Sequence, residues 1–213
     1  MKIIGLGHYS RTGKDTLANA IISHSTRPAK KIPFAWKLKQ QSHELYAWAG
    51  LREPEFYDTP AGEKLRDVVL PALGKTPVEI WVIVGNMYRD KFYIGTWIDF
   101  VLRTDHQVDL LVIPDVRYPN EVQALRTLGA TLVKVVRPGF GPKDTVADKA
   151  LLYYREWDYV VGASGDINEL NEWGRTFAQA SDGKYPWPDQ LVEDRVFGLN
   201  VEAPIQPARS RAA

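Results

Sequence analysis

Short runs of apolar, often β-branched residues alternate along the chain with stretches whose apolar positions recur at helical spacing. Lys2 to Leu6, Lys30 to Phe34, Asp109 to Ile113, Thr131 to Val136 and Tyr159 to Val161 read as strands. Their near-continuous apolar character suits a parallel sheet buried on both faces. Directly after the first run, Leu17, Ala20 and Ile21 share one helical face, as in a helix packed on that sheet. The alternation predicts an α/β fold of three layers, a mostly parallel sheet flanked by helices.

Helix boundaries are marked by capping chemistry. Thr76-Pro77-Val78-Glu79 joins an N-cap threonine, a proline at the first helical position and a glutamate able to return a hydrogen bond, and predicts a helix to about Lys91. Pro119 opens another, closed by Gly129. Asp166 caps a last one, Ile167 to about Ala180. The stretch from Phe34 to Trp97 breaks the alternation, with helices expected near Lys37 to Trp48 and Gly62 to Val69. It reads as a helical insertion over the sheet, residues about 35–104. Pro138 to Pro142, flanked by Arg137, Lys143 and Lys149, has the composition of a lid, about 137–150. Residues 1–181 form one expected domain. A Pro-rich extension, 182–213, follows with Pro186, Pro188, Pro204 and Pro207, and its end is expected to be disordered.

Composition narrows the function classes. Lys+Arg of 27 against Asp+Glu of 26 gives a net charge of +1, so no overall field favours nucleic acid and none is expected as a partner. With no cysteine, disulfides, thiolate metal sites and cysteine nucleophiles are excluded. The apolar start is too short for a signal peptide, and no stretch approaches the roughly 20 apolar residues of a membrane helix. A soluble, cytoplasmic protein without a membrane partner is expected.

The chemistry starts at the end of the first strand. Residues 8–16 run from His8 to Gly13-Lys14-Asp15-Thr16 and lead into a helix. A phosphate-binding loop needs unobstructed backbone N–H groups, a helix N-terminus and a lysine that reaches the terminal phosphates, and this segment offers all three. Two positions depart from the usual pattern. His8 stands where the first glycine is expected, and Asp15 where a magnesium-binding hydroxyl is usual, although a carboxylate also suits that hard cation. The plainer alternative is a glycine turn with Lys14 solvated. The other histidines, His24, His43 and His106, show no ligand spacing.

Leu110 to Pro114 deliver Asp115 to the C-terminal edge of a strand, where open α/β sheets bind ligands. Asp115 there can orient magnesium or an attacking phosphate, and the planar fork of Arg117 suits phosphate oxygens. The bland reading is an Asp115 to Arg117 ion pair, with Glu121 at a helix start. Trp97 is a candidate for stacking on a base, while Trp36, Trp48, Trp81, Trp157 and Trp173 read as packing residues.

Together these segments resemble the bacteriophage deoxynucleoside monophosphate kinases. The similar pieces are Ile3-Ile4-Gly5-Leu6 with Arg11-Thr12-Gly13-Lys14-Asp15-Thr16, Phe34-Ala35 with Leu38-Lys39, Gly74-Lys75-Thr76-Pro77 with Glu79-Ile80, Thr96-Trp97, and Asp115-Val116-Arg117-Tyr118-Pro119-Asn120-Glu121. The resemblance implies a P-loop kinase-like fold whose helical insertion binds substrate. It also implies transfer of the ATP γ-phosphate to a deoxynucleoside 5′-monophosphate, with magnesium. By position it assigns Arg11, Gly13, Lys14, Asp15 and Thr16 to ATP, and Ser10, Lys39, Arg89, Trp97, Arg117 and Glu121 to the acceptor. Lys14, Asp115 and Arg117 are the expected catalytic residues, Asp15 and Asp115 the expected magnesium ligands, directly or through water, and Arg137 and Lys143 belong to the lid. A His-containing motif of the family is missing near residues 144–156, where Asp148-Lys149-Ala150 and Arg155-Glu156 stand. The alternatives are a P-loop kinase of another small metabolite, or a nucleotide-binding regulatory protein without turnover. A homodimer is left open.

Overall fold

A computed structural model of the chain describes residues 1–143, 145–164 and 166–188. The expected disordered end, with Pro204 and Pro207, lies outside them. Parallel strands β1 (Lys2–Gly7), β2 (Ala29–Lys31), β3 (Leu110–Val116), β4 (Thr131–Val136) and β5 (Tyr159–Gly162) form one sheet in the order β2-β3-β1-β4-β5. The first strand is therefore central, and every residue of it after Lys2 is buried.

The helices are α1 (Lys14–His24), α2 (Trp36–Tyr46), α3 (Pro60–Leu65), α4 (Pro77–Lys91), α5 (Thr96–Arg103), α6 (Pro119–Thr127), the single turn α7 (Val146–Lys149) and α8 (Ile167–Ser181). Two 3-10 turns, Ala47–Ala49 and Pro54–Asp58, lie between α2 and α3.

Side chains alternate across the sheet and build one core on each face. Ile4, Leu6, Leu110, Val112, Val133 and Val135 pack with Leu17 and Ile21 of α1 and Leu170 and Phe177 of α8. Ile3, Leu111, Ile113 and Leu132 pack on the other face with Ile98 and Val101 of α5 and Val122 and Leu125 of α6. Full burial of each such aliphatic side chain contributes about 1.5–3 kcal/mol. The helices α1 and α8 touch closely because Gly174 removes a side chain at the crossing. A Cβ there would lie 2.3 Å from the Cβ of Ala20.

The insertion has its own core of Leu38, Leu51, Tyr57, Ile80, Trp81, Val84 and Trp97. Its longest helix, α4, starts as expected: Thr76 accepts from Glu79 N at 3.2 Å, and Glu79 accepts from Thr76 N at 2.7 Å.

Several boundaries differ from the sequence expectation. The second strand ends at Lys31 rather than Phe34, because Pro33 has no N–H for a ladder and Phe34 N is taken by Asp115. The third runs on to Val116, with a register shift opposite Gly5 to Gly7 that accommodates Pro114 as a bulge. In the insertion, α3 starts at Pro60 under a Thr59 cap and ends at Leu65, short of Val69, while α5 was not foreseen as a helix. No helix among the described residues is long and apolar enough to cross a membrane.

Candidate active site

Strand β1 moves to one side of the sheet through α1 and later gains β4 on its other side, so the loop after β1 lies where the winding direction reverses. That loop, residues 8–13, ends at Gly13 with φ 97°, the left-handed turn that starts α1. A Cβ on Gly13 would also lie 2.8 Å from Leu170 Cδ1 of α8. His8 likewise has φ 97°, so it holds the backbone shape that the expected glycine would supply. Arg11 is left-handed as well, with φ 63°.

Lys14 is buried and folded back into the loop. Its ammonium donates to the Tyr9 carbonyl and, at 3.4 Å, to the Thr12 hydroxyl. Burial pulls its pKa down to about 8, with the nearby Arg117 cation adding to the shift. The plainer reading of a solvated Lys14 is thereby corrected. The His8 ring lies against Tyr9, with centroids 3.7 Å apart, and burial with the cations of Lys134, Lys14 and Arg155 holds its pKa down to about 3. It is neutral at physiological pH.

Asp115 sits at the end of β3 as expected, yet its carboxylate accepts from Phe34 N at 2.8 Å and Ala35 N at 3.0 Å. It ties the sheet edge to the start of the insertion. Loss of water raises its pKa against the pull of those two hydrogen bonds and of Lys39 and Arg117. The expected alternative of an Asp115 to Arg117 ion pair does not form. Arg117 Nη1 instead donates to the buried Asp148 of α7 at 2.5 Å.

Glu121, in the first turn of α6, accepts from Arg117 N at 2.6 Å and Tyr118 N at 3.0 Å, and its other oxygen lies 4.0 Å from Arg89. Burial, then the Asp115 charge, pushes its carboxyl up to about 8. Arg89 also lies over the Tyr118 ring at 5.1 Å.

Lys39 faces this edge from α2, with its Nζ 4.9 Å from the centre of the Trp81 ring, and Arg66 lies over the same ring at 5.6 Å. Loss of water lowers the Lys39 pKa, and repulsion by Arg66 lowers it further. Two cations thus share one indole, and neither has an ion-pair partner among the described residues. Arg66 had no motif to signal it, nor had Asp148.

Trp97 does not serve as a stacking platform. It is buried in the core of the insertion, and its indole N–H donates to the Gly85 carbonyl at 3.2 Å. An apolar face at helical spacing, Trp97, Ile98 and Val101, outweighed the motif.

Asp15 is exposed at the first turn of α1, 3.4 Å from Lys31 Nζ. Thr16 lines a cleft of 140 Å³ with Thr12, Gly13, Arg137, Ala163, Asp166, Ile167 and Leu170. Arg137 reaches the Arg11 carbonyl at 3.5 Å and covers the Phe140 ring at 4.7 Å. Arg11 itself lies 3.9 Å from Glu63 of α3. Ser10 is half-buried in the loop, and Lys143 is exposed beside α7. The remaining histidines are structural: His43 bonds the Leu51 carbonyl, His106 the Val101 carbonyl and His24 the Asn171 side chain.

Residues 79–173 match the family model described as deoxynucleotide monophosphate kinase. The chain is 36% identical to the deoxynucleotide monophosphate kinase of Enterobacteria phage T4 over 42% of its own length and 37% of that protein's. It thus spans well under half of that relative. A protein of Acanthamoeba polyphaga mimivirus named putative deoxynucleotide monophosphate kinase is 27% identical across 80% of this chain and 92% of its own. Among solved structures, an unliganded sugar kinase from Janibacter is similar with a TM-score of 0.41 at 11% identity, covering 86% of this chain and 98% of its own. The stretch from α4 into α8, which carries Arg89, Asp115, Arg117, Glu121 and Asp148, is therefore similar to the deoxynucleotide monophosphate kinase family, in agreement with the resemblance drawn from its motifs.

Proposed function

We propose that the protein is a phosphotransferase that moves the γ-phosphate of ATP to a deoxynucleoside 5′-monophosphate, giving the diphosphate. One observation carries this reading: the loop that buries Lys14 shares a sheet edge with Arg117 and with a second set of cations on the insertion. A phosphate loop alone accounts for one anionic ligand. Lys39 and Arg66 repel each other over one indole and form no ion pair among the described residues, which suits them to a second.

In this reading the backbone N–H groups of residues 11–16 and Lys14 hold the ATP phosphates, and the cleft beside Thr16 and Ile167 receives the nucleoside end. Lys39 with Arg66 meets the acceptor phosphate, and Ser10, Arg89 and Glu121 line the rest of the acceptor's site. An acceptor oxygen attacks the γ-phosphorus in line, the bond to the β–γ bridging oxygen breaks, and ADP leaves. A monophosphate dianion is already nucleophilic, so no general base is required. Arg117 and Lys14 offset the charge that spreads over the transferred group. The lid segment with Arg137 and Lys143 would keep water from the γ-phosphate.

Magnesium fits a site of this kind, since it is commonly held by one or two carboxylates and the substrate phosphates rather than by a protein cage. Asp15 is the accessible carboxylate at the loop, whereas Asp115, occupied by Phe34 N and Ala35 N, would act through water. The ion would supply charge neutralisation across the phosphates. A regulatory protein without turnover would be suggested by a histidine in place of the loop's first glycine, and that reading loses force because His8 retains the glycine-like backbone.

Acceptor profiling tests the proposal. Purified protein with ATP and magnesium should form a diphosphate from at least one of the four deoxynucleoside monophosphates. Phosphorylation of an unphosphorylated metabolite instead, or tight ATP binding with no product, would overturn it.

A further inference from the structure

Arg117 is anchored twice. Its backbone N–H is held by Glu121 at 2.6 Å, and its guanidinium by Asp148 at 2.5 Å. The Asp148 side chain is only 2% exposed, against 26% for Arg117. Its second oxygen accepts from Lys143 N at 3.1 Å, and its own N–H is capped by the Thr145 hydroxyl at 3.1 Å. The carboxylate is buried, accepts from Lys143 N as well as from Arg117, and stands on a backbone tied to the Thr145 cap, so it is the more fixed partner and holds the arginine. Only Nη1 is occupied. Nε and Nη2 have no hydrogen-bond partner among the described residues, which leaves two donors of the planar fork for phosphate oxygens. Arg117 and Asp148 line one small cavity together with His8 and Tyr9, which places the guanidinium beside the loop that follows β1.

We infer that Asp148 is a positioning residue, which fixes the Arg117 guanidinium beside the phosphate loop and so ties the segment between β4 and β5 to transfer. This rests on the phosphotransfer reading. A long side chain with many rotamers is useful at a transition state only if its ordering is complete beforehand.

The test is a double-mutant cycle on kcat and on ATP affinity, using Asp148→Asn, Asp148→Glu, Arg117→Ala and Arg117→Ala with Asp148→Asn. Asp148→Asn should lower kcat about ten- to a hundredfold in the otherwise native protein. In the Arg117→Ala background its further effect should be under about threefold, and Asp148→Glu should recover part of the loss. Equal losses in both backgrounds, or no loss from Asp148→Asn, would overturn the role. If Arg117→Ala fails to fold by circular dichroism, the comparison of Asp148→Glu with Asp148→Asn decides, and no recovery by glutamate overturns it. Absence of turnover in the native protein would count against the reaction alone. The cycle is then read on ATP affinity, where additivity overturns the inference.

Discussion

His8 holds φ 97°, a conformation that a residue with a Cβ adopts at a cost of about 1–2 kcal/mol, and its half-buried ring packed on Tyr9 offsets that cost. His8→Gly and His8→Ala both remove the ring, but only glycine also relieves the backbone. The alanine variant should therefore be the less stable by about 1 kcal/mol in urea unfolding. Equal stabilities would show that the loop does not impose this conformation.

Glu121 gives a second residue-scale prediction. Its pKa is near 8 in the folded protein against 4.5 for the free side chain, with Asp115 from β3 and Arg89 from α4 facing it. Between those values the native state keeps a proton that the unfolded state has lost. Stability must then fall as pH rises, by at most about 1.4 kcal/mol per unit from this group. Asp115, also raised, acts with the same sign. Glu121→Gln should flatten the decline between pH 5 and 8, whereas parallel profiles for variant and native protein would contradict it. At this scale the turn at Gly13-Lys14-Asp15-Thr16 between β1 and α1 was legible, because a glycine directly before an amphipathic helix suits a left-handed start. Asp148 and Arg66 were not, because a single charge in a polar stretch looks like any solvated residue until the fold buries it.

Among the elements, α5 shows how a local motif can mislead. The resemblance assigns Trp97 to the acceptor, while Trp97, Ile98 and Val101 are the buried face of an amphipathic helix. Trp97→Phe removes the donor to the Gly85 carbonyl and some packing, and should cost about 1–2 kcal/mol of stability. It should leave the ratio of kcat/KM between purine and pyrimidine acceptors within about twofold. A shift of tenfold or more would restore Trp97 to the acceptor site. Capped helices were easier to foresee. Thr76 with Glu79, and Asp166 with Asn168 N at 2.9 Å, use side chains that announce their role in the sequence. The short α7 has a Thr145 cap but no apolar period, so only its place in the fold reveals it.

At the scale of the whole molecule, the three layers were legible because strands buried on both faces are apolar throughout, and helices packed on them are not. The strand order was not. Which parallel strands pair depends on how crossover helices pack, and the insertion puts the helices α2 to α5 between β2 and β3. That order puts β1 between β3 and β4, and so brings Lys14, Asp115 and Arg117 to one edge under Lys39 and Arg89. Under the proposed function this edge transfers phosphate between two nucleotides. The direct test supplies ATP labelled in the γ-phosphate, magnesium and a deoxynucleoside monophosphate, and follows the label in the native protein and in Lys14→Met. Label should appear in the β-position of a deoxynucleoside diphosphate and be lost in Lys14→Met. Label found only in inorganic phosphate, or equal transfer by both proteins, would contradict it.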